Sequence, residues 1–490
     1  MKQSLSYRYN LGHCFYFIFS LKSTKMKKKA NSPDTVSMAV IHSHAAGIDV
    51  GSREHYVATG QQSADVCTFG VYSKDNAALV THLQQKGITT VAMESTGTYW
   101  QPLFACIQAA GIEVVLSNNY IKDPQKKTDA KDARWLQRLH TLGLLKTSFI
   151  PAAQIEQVRT YHRHRSSLVA QAATCIQKMQ KALRLMNIRL DIAISDITGV
   201  SGMAILESIV AGQRDGTFLA SLVHYKVKKS KEEIAEALQG QWKTEQLYIV
   251  ADELESYKHY QLRMANCDKQ IELLLQQMTS AITVKHASEI PAAENVVSAA
   301  GAITPTKIKK NKNSAAYDVS KLSMEYFGVD LLEVEGIGGA TVMTFIAEVG
   351  SDIIKFPGKK NFTSWLRLSP NNKITGGKVI SSRTPKGKNI LSNAFRLAAN
   401  TIAQRKDGVL KKIFSRIAFK KGRAAAITAL ARRLAEIFWI MTVRKVPYKA
   451  QNEKEYDEQT KKSIIKNIQH KMRKMNLTAE DIAMGGLVTN

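Results

Sequence analysis

The sequence predicts an α/β plus α protein: an N-terminal α/β domain, then long helices, then a mainly helical C-terminal domain. Three observations predict it. Short apolar runs alternate with helical patterns between Ala46 and about Leu145. Two long polar stretches with helically spaced apolar residues follow, and a glycine-punctuated, helix-rich region precedes a charge-dense end.

The elements follow in order. "AGIDV", "HYVATG" and "VCTFGVYS" read as three consecutive strands with short turns, an antiparallel meander. "NAALVTHLQQKG" has helical spacing and closes on Gly, a C-cap signal. "ITTVAMES" is the next strand, "TYWQPLFACIQAAG" a helix, "IEVVLSNN" a strand and "DAKDARWLQRLHTLG" another helix. Three strands followed by helix, strand, helix, strand, helix is the order of an RNase H-like domain. From Pro151 to about Met186 the chain is polar and helical, and a second such helix covers roughly Glu253–Met278. Together they predict a long helical hairpin or coiled coil, bearing a dimer or nucleic-acid contact. "AITPTKIKKNKNSAAYD" is a basic linker or insertion. "LLEVEGIGGATVMTFIAEVG" opens a second compact region running to about Met441. In it Gly336, Gly338 and Gly339 precede a helix, as a phosphate-holding N-terminus or as a plain tight turn. The expected divisions are an N-terminal extension at 1–40, the α/β domain at 41–150 and the helical region at 151–285. A basic linker at 286–328, a C-terminal domain at 329–443 and a charged tail at 444–490 complete the chain. The extension is set aside from fold reasoning, with Met26 and Met38 as alternative starts.

Charge narrows the partners. Lys plus Arg outnumber Asp plus Glu by 69 to 41, a formal charge of +28. That favours a polyanion, either nucleic acid or an anionic membrane surface. No apolar stretch reaches the roughly 18 residues that a spanning helix needs, so nucleic acid is the expected partner. Cys14, Cys67, Cys106, Cys175 and Cys267 are scattered, with no C-x-x-C pair. They suit buried thiols in a reducing cytoplasm better than a disulfide or zinc framework.

One constellation carries chemistry. Asp49 ends the first strand and Glu94 ends a later one. Asp129 and Asp132 are three apart, so a helix puts both on one face. Each alone reads as a turn residue, a cap or a solvated helix carboxylate. Converging, the four would repel one another unless a cation compensates, and hard oxygen ligands suit Mg²⁺ or Mn²⁺.

With those residues in view, the sequence resembles a known family. "GIDVGSREHYVA", "VAMESTGTYWQPLFACIQAAGIEVVLSNN" and "KTDAKDARWL" resemble the N-terminal domain of the IS-one-ten family of insertion-sequence transposases. That domain is similar to the Holliday-junction resolvase RuvC and carries an Asp-Glu-Asp-Asp (DEDD) metal site. "LLEVEGIGGATVMTFIAEVGSDIIKFPGKKNFTSWLRLSPNNKITGGKVISSRTPKGKN" and "KKGRAAAITALARRLAEIFWIM" resemble the family's C-terminal transposase domain. The resemblance implies a RuvC-like fold with Asp49, Glu94, Asp129 and Asp132 as Mg²⁺ ligands. It also implies a serine nucleophile that forms a covalent link to DNA, a homo-oligomer (dimer or tetramer), and a guide (bridge) RNA.

The nucleophile departs from the pattern. Where the family loop reads Ser-Ser-Gly or Ser-Thr-Gly, this chain has Ile374 and Thr375 in "NNKITGGKV". Thr375 keeps a hydroxyl, though its β-branch stiffens the approach. Ser381 and Ser382 are the other candidates, and a plain turn role for Thr375 beside Gly376 and Gly377 is the alternative. Lys378, Arg383, Lys386 and Lys388 flank this loop, and Arg159, His162, Arg163, His164 and Arg165 open the first long helix. As nucleic-acid contacts these cations give salt-sensitive affinity and little sequence choice, which suits a protein whose target is read by a guide. The expected function is therefore a DNA transposase and recombinase. The rivals are a metal-dependent junction resolvase or nuclease, and a non-catalytic nucleic-acid-binding protein.

Overall fold

Alternation in the first strand decides what can pack against it. β1 (Ala45–Val50) sends Ala46, Ile48 and Val50 to one face, and Ala45, Gly47 and Asp49 to the other. In the computed structural model, which describes residues 38–95, 97–117, 128–288 and 312–476, this strand is the centre of a five-stranded sheet. Nearly all of the expected 1–40 extension lies outside the described residues, as do residues 289–311 of the basic linker and 477–490 of the tail.

The N-terminal unit ends at Phe149. β2 (His55–Ala58) and β3 (Val66–Phe69) continue antiparallel from β1, as the meander predicts. The third strand is shorter than expected. α1 (Ser73–Gln85) begins at once because the Asp75 carboxylate accepts the Tyr72 N–H at 3.1 Å, capping the helix within "VYSKD". β4 (Thr90–Glu94), α2 (Trp100–Ala109), β5 (Glu113–Ser117) and α3 (Asp129–Thr141) follow, with β4 and β5 parallel to β1. The strand order is β3-β2-β1-β4-β5. β4 is apolar almost throughout, as a strand covered on both faces must be.

α3 is anchored on β1 and β4. Gln137 Nε2 donates to the Ala45 carbonyl at 3.1 Å, and His140 Nε2 shares a 2.9 Å hydrogen bond with Thr90 Oγ1. The His140 ring also stacks on His42, with centroids 4.7 Å apart. Burial, and then the charge of His42, push the His140 imidazole down to about 4. The unfolded chain therefore takes up a proton below pH 6.5 that the folded chain refuses until about pH 4, and stability falls on acidification across that window. At pH 5 the loss from this residue is about 2 kcal/mol relative to pH 8. Urea unfolding of the full chain at both pH values measures it, and His140→Gln is expected to flatten the dependence.

The second unit begins at Ile150. α4 (Ala153–Leu185) opens it. Four short helices follow: α5 (Leu190–Ala193), α6 (Val200–Val210), α7 (Gly216–Ser221) and α8 (Lys231–Ala237). α9 (Thr244–Ser288) then runs back antiparallel to α4, the pairing fixed by Arg165 with Asp268 and by Lys178 with Glu253. This is the expected hairpin. α9 is longer than the predicted Glu253–Met278 because no Gly or Pro interrupts residues 244–288. One hydrophobic cluster, including Met179, Leu190, Ile205, Leu219, Ile234 and Leu254, joins α4, the four short helices and α9.

A second core lies among α10 (Val319–Phe327), α11 (Gly339–Glu348), α12 (Lys359–Trp365), α13 (Ile390–Ala403), α14 (Val409–Lys421) and α15 (Arg423–Arg444). Phe438 of α15 meets Phe345 and Phe395 edge-on, at centroid distances of 5.2 and 5.0 Å. Gly336 has φ +75°, and a Cβ there would lie 2.3 Å from Ile402, so its glycine serves this close packing. A two-stranded hairpin, β6 (Lys373–Thr375) and β7 (Lys378–Ser381), projects between α12 and α13 in sequence. α16 (Glu453–Lys474) is the exposed, charge-dense helix expected of the tail. Among the described residues no helix is long and apolar enough to cross a membrane. Cys67, Cys106, Cys175 and Cys267 are free thiols, and Cys14 lies outside the described residues.

Candidate active site

The register of the sheet brings the first two carboxylates to its carboxyl edge. Ile48 pairs with Met93 in the parallel β1–β4 ladder, so the next residues, Asp49 and Glu94, are neighbours one step further on. Paired residues of a parallel ladder face the same way, and Gly47 and Asp49 share a face by the two-residue period. That face is the one α3 covers. A Cβ on Gly47 would lie 2.3 Å from Gln137 N and 2.4 Å from the Ala133 carbonyl oxygen, both helix backbone. Only the absence of a side chain at Gly47, beside small Ala45 and Ala92, lets α3 sit this low. Ala133 follows Asp132 directly, so the glycine sets the height of the helix end that carries Asp129 and Asp132. Asp49, Glu94 and Asp132 are half-buried and Asp129 is exposed.

Two residues absent from the sequence reading share this edge. Tyr56 pairs with Asp49 across the antiparallel ladder, and its hydroxyl donates to Glu54 Oε2 at 3.0 Å. That hydrogen bond and the Glu54 charge raise the Tyr56 phenol above its ordinary value, with smaller contributions from Asp129 and Asp49. One phenol thus feels carboxylates from the strand and from the helix. Alternation in "HYVATG" places Tyr56 on the Asp49 face once the register is known.

The donor set is all carboxylate oxygen, hard ligands that fit a divalent cation such as Mg²⁺ or Mn²⁺. Among the described residues, no group of three or more His, Cys, Asp or Glu side chains is gathered closely enough to hold an ion. The fold aligns Asp49, Glu94 and the Asp129/Asp132 turn on one edge without closing them into a ligand cage.

In the second unit the loop expected to carry the nucleophile is a tight hairpin. Gly376 and Gly377 have φ of +54° and +74°, the two left-handed positions of a type I′ turn between Thr375 and its partner Lys378. Thr375, Ser382, Lys378, Arg383 and Lys386 are all exposed, and Ser381 is half-buried. Asn371 N–H donates to the Arg383 carbonyl at 3.0 Å, closing the base of the hairpin. Ile374, Val379 and Ile380 are exposed on the same ribbon.

The arginines that open α4 are engaged inside the protein. Arg159 donates to the Ala347 and Glu348 carbonyls, Arg163 grips the Glu348 carboxylate through two bonds of 2.9 and 2.8 Å, and Arg165 does the same with Asp268. Arg159 and Arg165 are mostly buried, while Arg163 stays half-exposed. Their geometry ties α4 to α11 and to α9. His162, between them, is pushed down to about 4, chiefly by burial. Glu348→Ala would strand the buried Arg159 guanidinium and is expected to destabilise the chain by about 3 kcal/mol in urea unfolding. Glu348→Gln, which keeps the acceptor oxygen, should lose less.

Comparison with known families matches two regions. Residues 46–188 match the DEDD transposase domain of IS110 elements, and residues 330–415 match the transposase IS116/IS110/IS902 family. A comparison with curated proteins returns no match. The first region spans the sheet with its edge carboxylates and α4, and the second spans α11, the β6–β7 hairpin and α13. With both domains present and in order, the chain belongs to the IS110 family of insertion-sequence transposases.

Proposed function

We propose that this transposase moves its element by breaking and rejoining DNA phosphodiesters through a covalent protein–DNA intermediate. Asp49, Glu94, Asp129 and Asp132 would hold Mg²⁺ or Mn²⁺, and Thr375 is the nucleophile, with Ser382 the second candidate. The observation that carries this reading is the shared edge of β1 and β4, where Asp49 and Glu94 are neighbours beneath the α3 turn bearing the other two carboxylates.

A divalent cation bound there supplies positive charge against a phosphate and favours ionisation of a nearby hydroxyl. The side chains do the rest. Thr375 Oγ1 forms a bond to phosphorus, the bond to one deoxyribose oxygen breaks, and the threonine proton ends on that leaving oxygen. The exposed hairpin lets a phosphate reach Thr375 without rearrangement of a core, and Lys378, Arg383 and Lys386 draw it there. Target choice on this reading belongs to a guide RNA, because such lysine and arginine contacts discriminate poorly between sequences. Strand exchange between two DNA ends needs a homo-oligomer.

The test is an adduct. Full-length protein, Mg²⁺, labelled element-end DNA and its flanking RNA should give a protein–DNA species on a denaturing gel, and Thr375→Ala should reduce it at least ~100-fold. Loss in Ser382→Ala instead moves the nucleophile to Ser382. DNA cut with no adduct from any variant means a nuclease or resolvase.

A further inference from the structure

The helices α5–α8 lie outside both matched regions, which end at residue 188 and resume at residue 330. From the end of α7 to the first residue of α8 the chain reads "LVHYKVKKSK", ten residues with four lysines and no acid. Tyr225 is 83% exposed there, beside Lys226, Lys228, Lys229 and Lys231, which are also exposed. An aromatic ring this open makes no contribution to a core. Its neighbours lie on the same turn, whose backbone is anchored to α6. The His224 ring lies 4.3 Å from the Tyr225 ring, the Lys226 ammonium is 5.6 Å from its centroid, and His224 N–H donates to Ser201 Oγ of α6 at 2.9 Å. Val227 N–H donates to the His224 carbonyl at 3.0 Å, which makes the segment a turn. Val200, the residue before Ser201, is 82% exposed. Of the carboxylates that begin α8, Glu233 is turned back onto the Ser230 N–H at 3.2 Å.

We propose that the turn His224–Lys231 is a docking site for single-stranded nucleic acid. Tyr225 is the stacking platform for an unpaired base, and Lys226, Lys228, Lys229 and Lys231 meet the flanking phosphates. An exposed ring selects single strands because duplex bases are already stacked on one another, whereas lysines alone would take any polyanion. The site is additional to the DNA-cleaving centre and does not depend on it.

The test uses the full chain and fluorescence anisotropy with a labelled oligouridylate and a labelled duplex of the same length. Tyr225→Ala is expected to weaken the single strand about tenfold and the duplex less than about twofold, with an unchanged melting temperature. Tyr225→Phe should bind like the parent, since the ring face is kept. Lys226→Glu with Lys228→Glu and Lys229→Glu should weaken both ligands and lower the salt slope by about 2. A 4-thiouridine probe should cross-link to this turn. Unchanged single-strand binding in Tyr225→Ala overturns the proposal, as does an equal loss on duplex, or capture of phosphatidylserine vesicles in preference to the oligonucleotide. Adduct formation on element-end DNA, read separately, reports the other site: Asp49→Asn should abolish it while leaving oligouridylate binding intact.

Discussion

Gly47→Ala is expected to destabilise the N-terminal unit by about 3 kcal/mol and to remove DNA cleavage with it. The added methyl carbon would stand 2.3 Å from Gln137 N, 2.4 Å from the Ala133 carbonyl oxygen and 2.8 Å from Gln137 Cα. All three atoms are backbone, so no side-chain rotation relieves the overlap and α3 itself must rise or slide. Two consequences then separate in measurement. The anchors at Gln137–Ala45 and His140–Thr90 stretch, which lowers the urea midpoint. The turn bearing Asp129 and Asp132 moves away from Asp49 and Glu94, which removes activity even at temperatures where the variant is folded. Circular dichroism with an adduct assay below the melting point reads both. A Gly47→Ala chain with parental stability and activity would mean that α3 does not rest on this strand.

The second large effect is chemical. Asp49→Asn and Glu94→Gln are each expected to reduce adduct formation and strand exchange by at least ~100-fold, with stability changed by less than about 1 kcal/mol. Both side chains are half-buried at a strand end, not in the core, so the isosteric amides can occupy the same volume. What they lose is negative charge and half of the oxygen donors. Asp49→Asn carries an internal control, because Asp49 contributes to raising the Tyr56 phenol. Ultraviolet titration should find that phenol ionising at lower pH in the variant. Full strand exchange by Asp49→Asn would place the chemistry elsewhere.

The N-terminal unit was legible because its signals are local. Each strand is short and apolar, each helix has its own period, and turns such as Lys86–Gly87 and Ala110–Gly111 mark the ends. The places of the four carboxylates in their elements were legible for the same reason: Asp49 and Glu94 lie at the ends of apolar runs, and Asp129 and Asp132 open an amphipathic one. What escaped depends on partners distant in sequence. Arg163 meets Glu348 across 185 residues and Arg165 meets Asp268 across 103, so a basic run read as nucleic-acid contacts also ties the helical scaffold together. Gly47 reads as an ordinary glycine until α3 is set on it. The Thr375 loop is a type I′ hairpin, a shape that Gly376-Gly377 encodes between two short β-prone runs. The Tyr225 turn is not legible in the sequence because four lysines around one aromatic resemble any solvated loop until the exposure of the ring is known.

The most direct measurement is Mn²⁺ binding by the full-length protein, followed by electron paramagnetic resonance of the free ion. Removal of any one of the four carboxylates, at Asp49, Glu94, Asp129 or Asp132, should weaken uptake at least ~tenfold, as expected of ligands to a common ion. Four single variants that all take up Mn²⁺ like the parent chain would show that these acids do not share a cation, and the edge of β1 and β4 would lose its role.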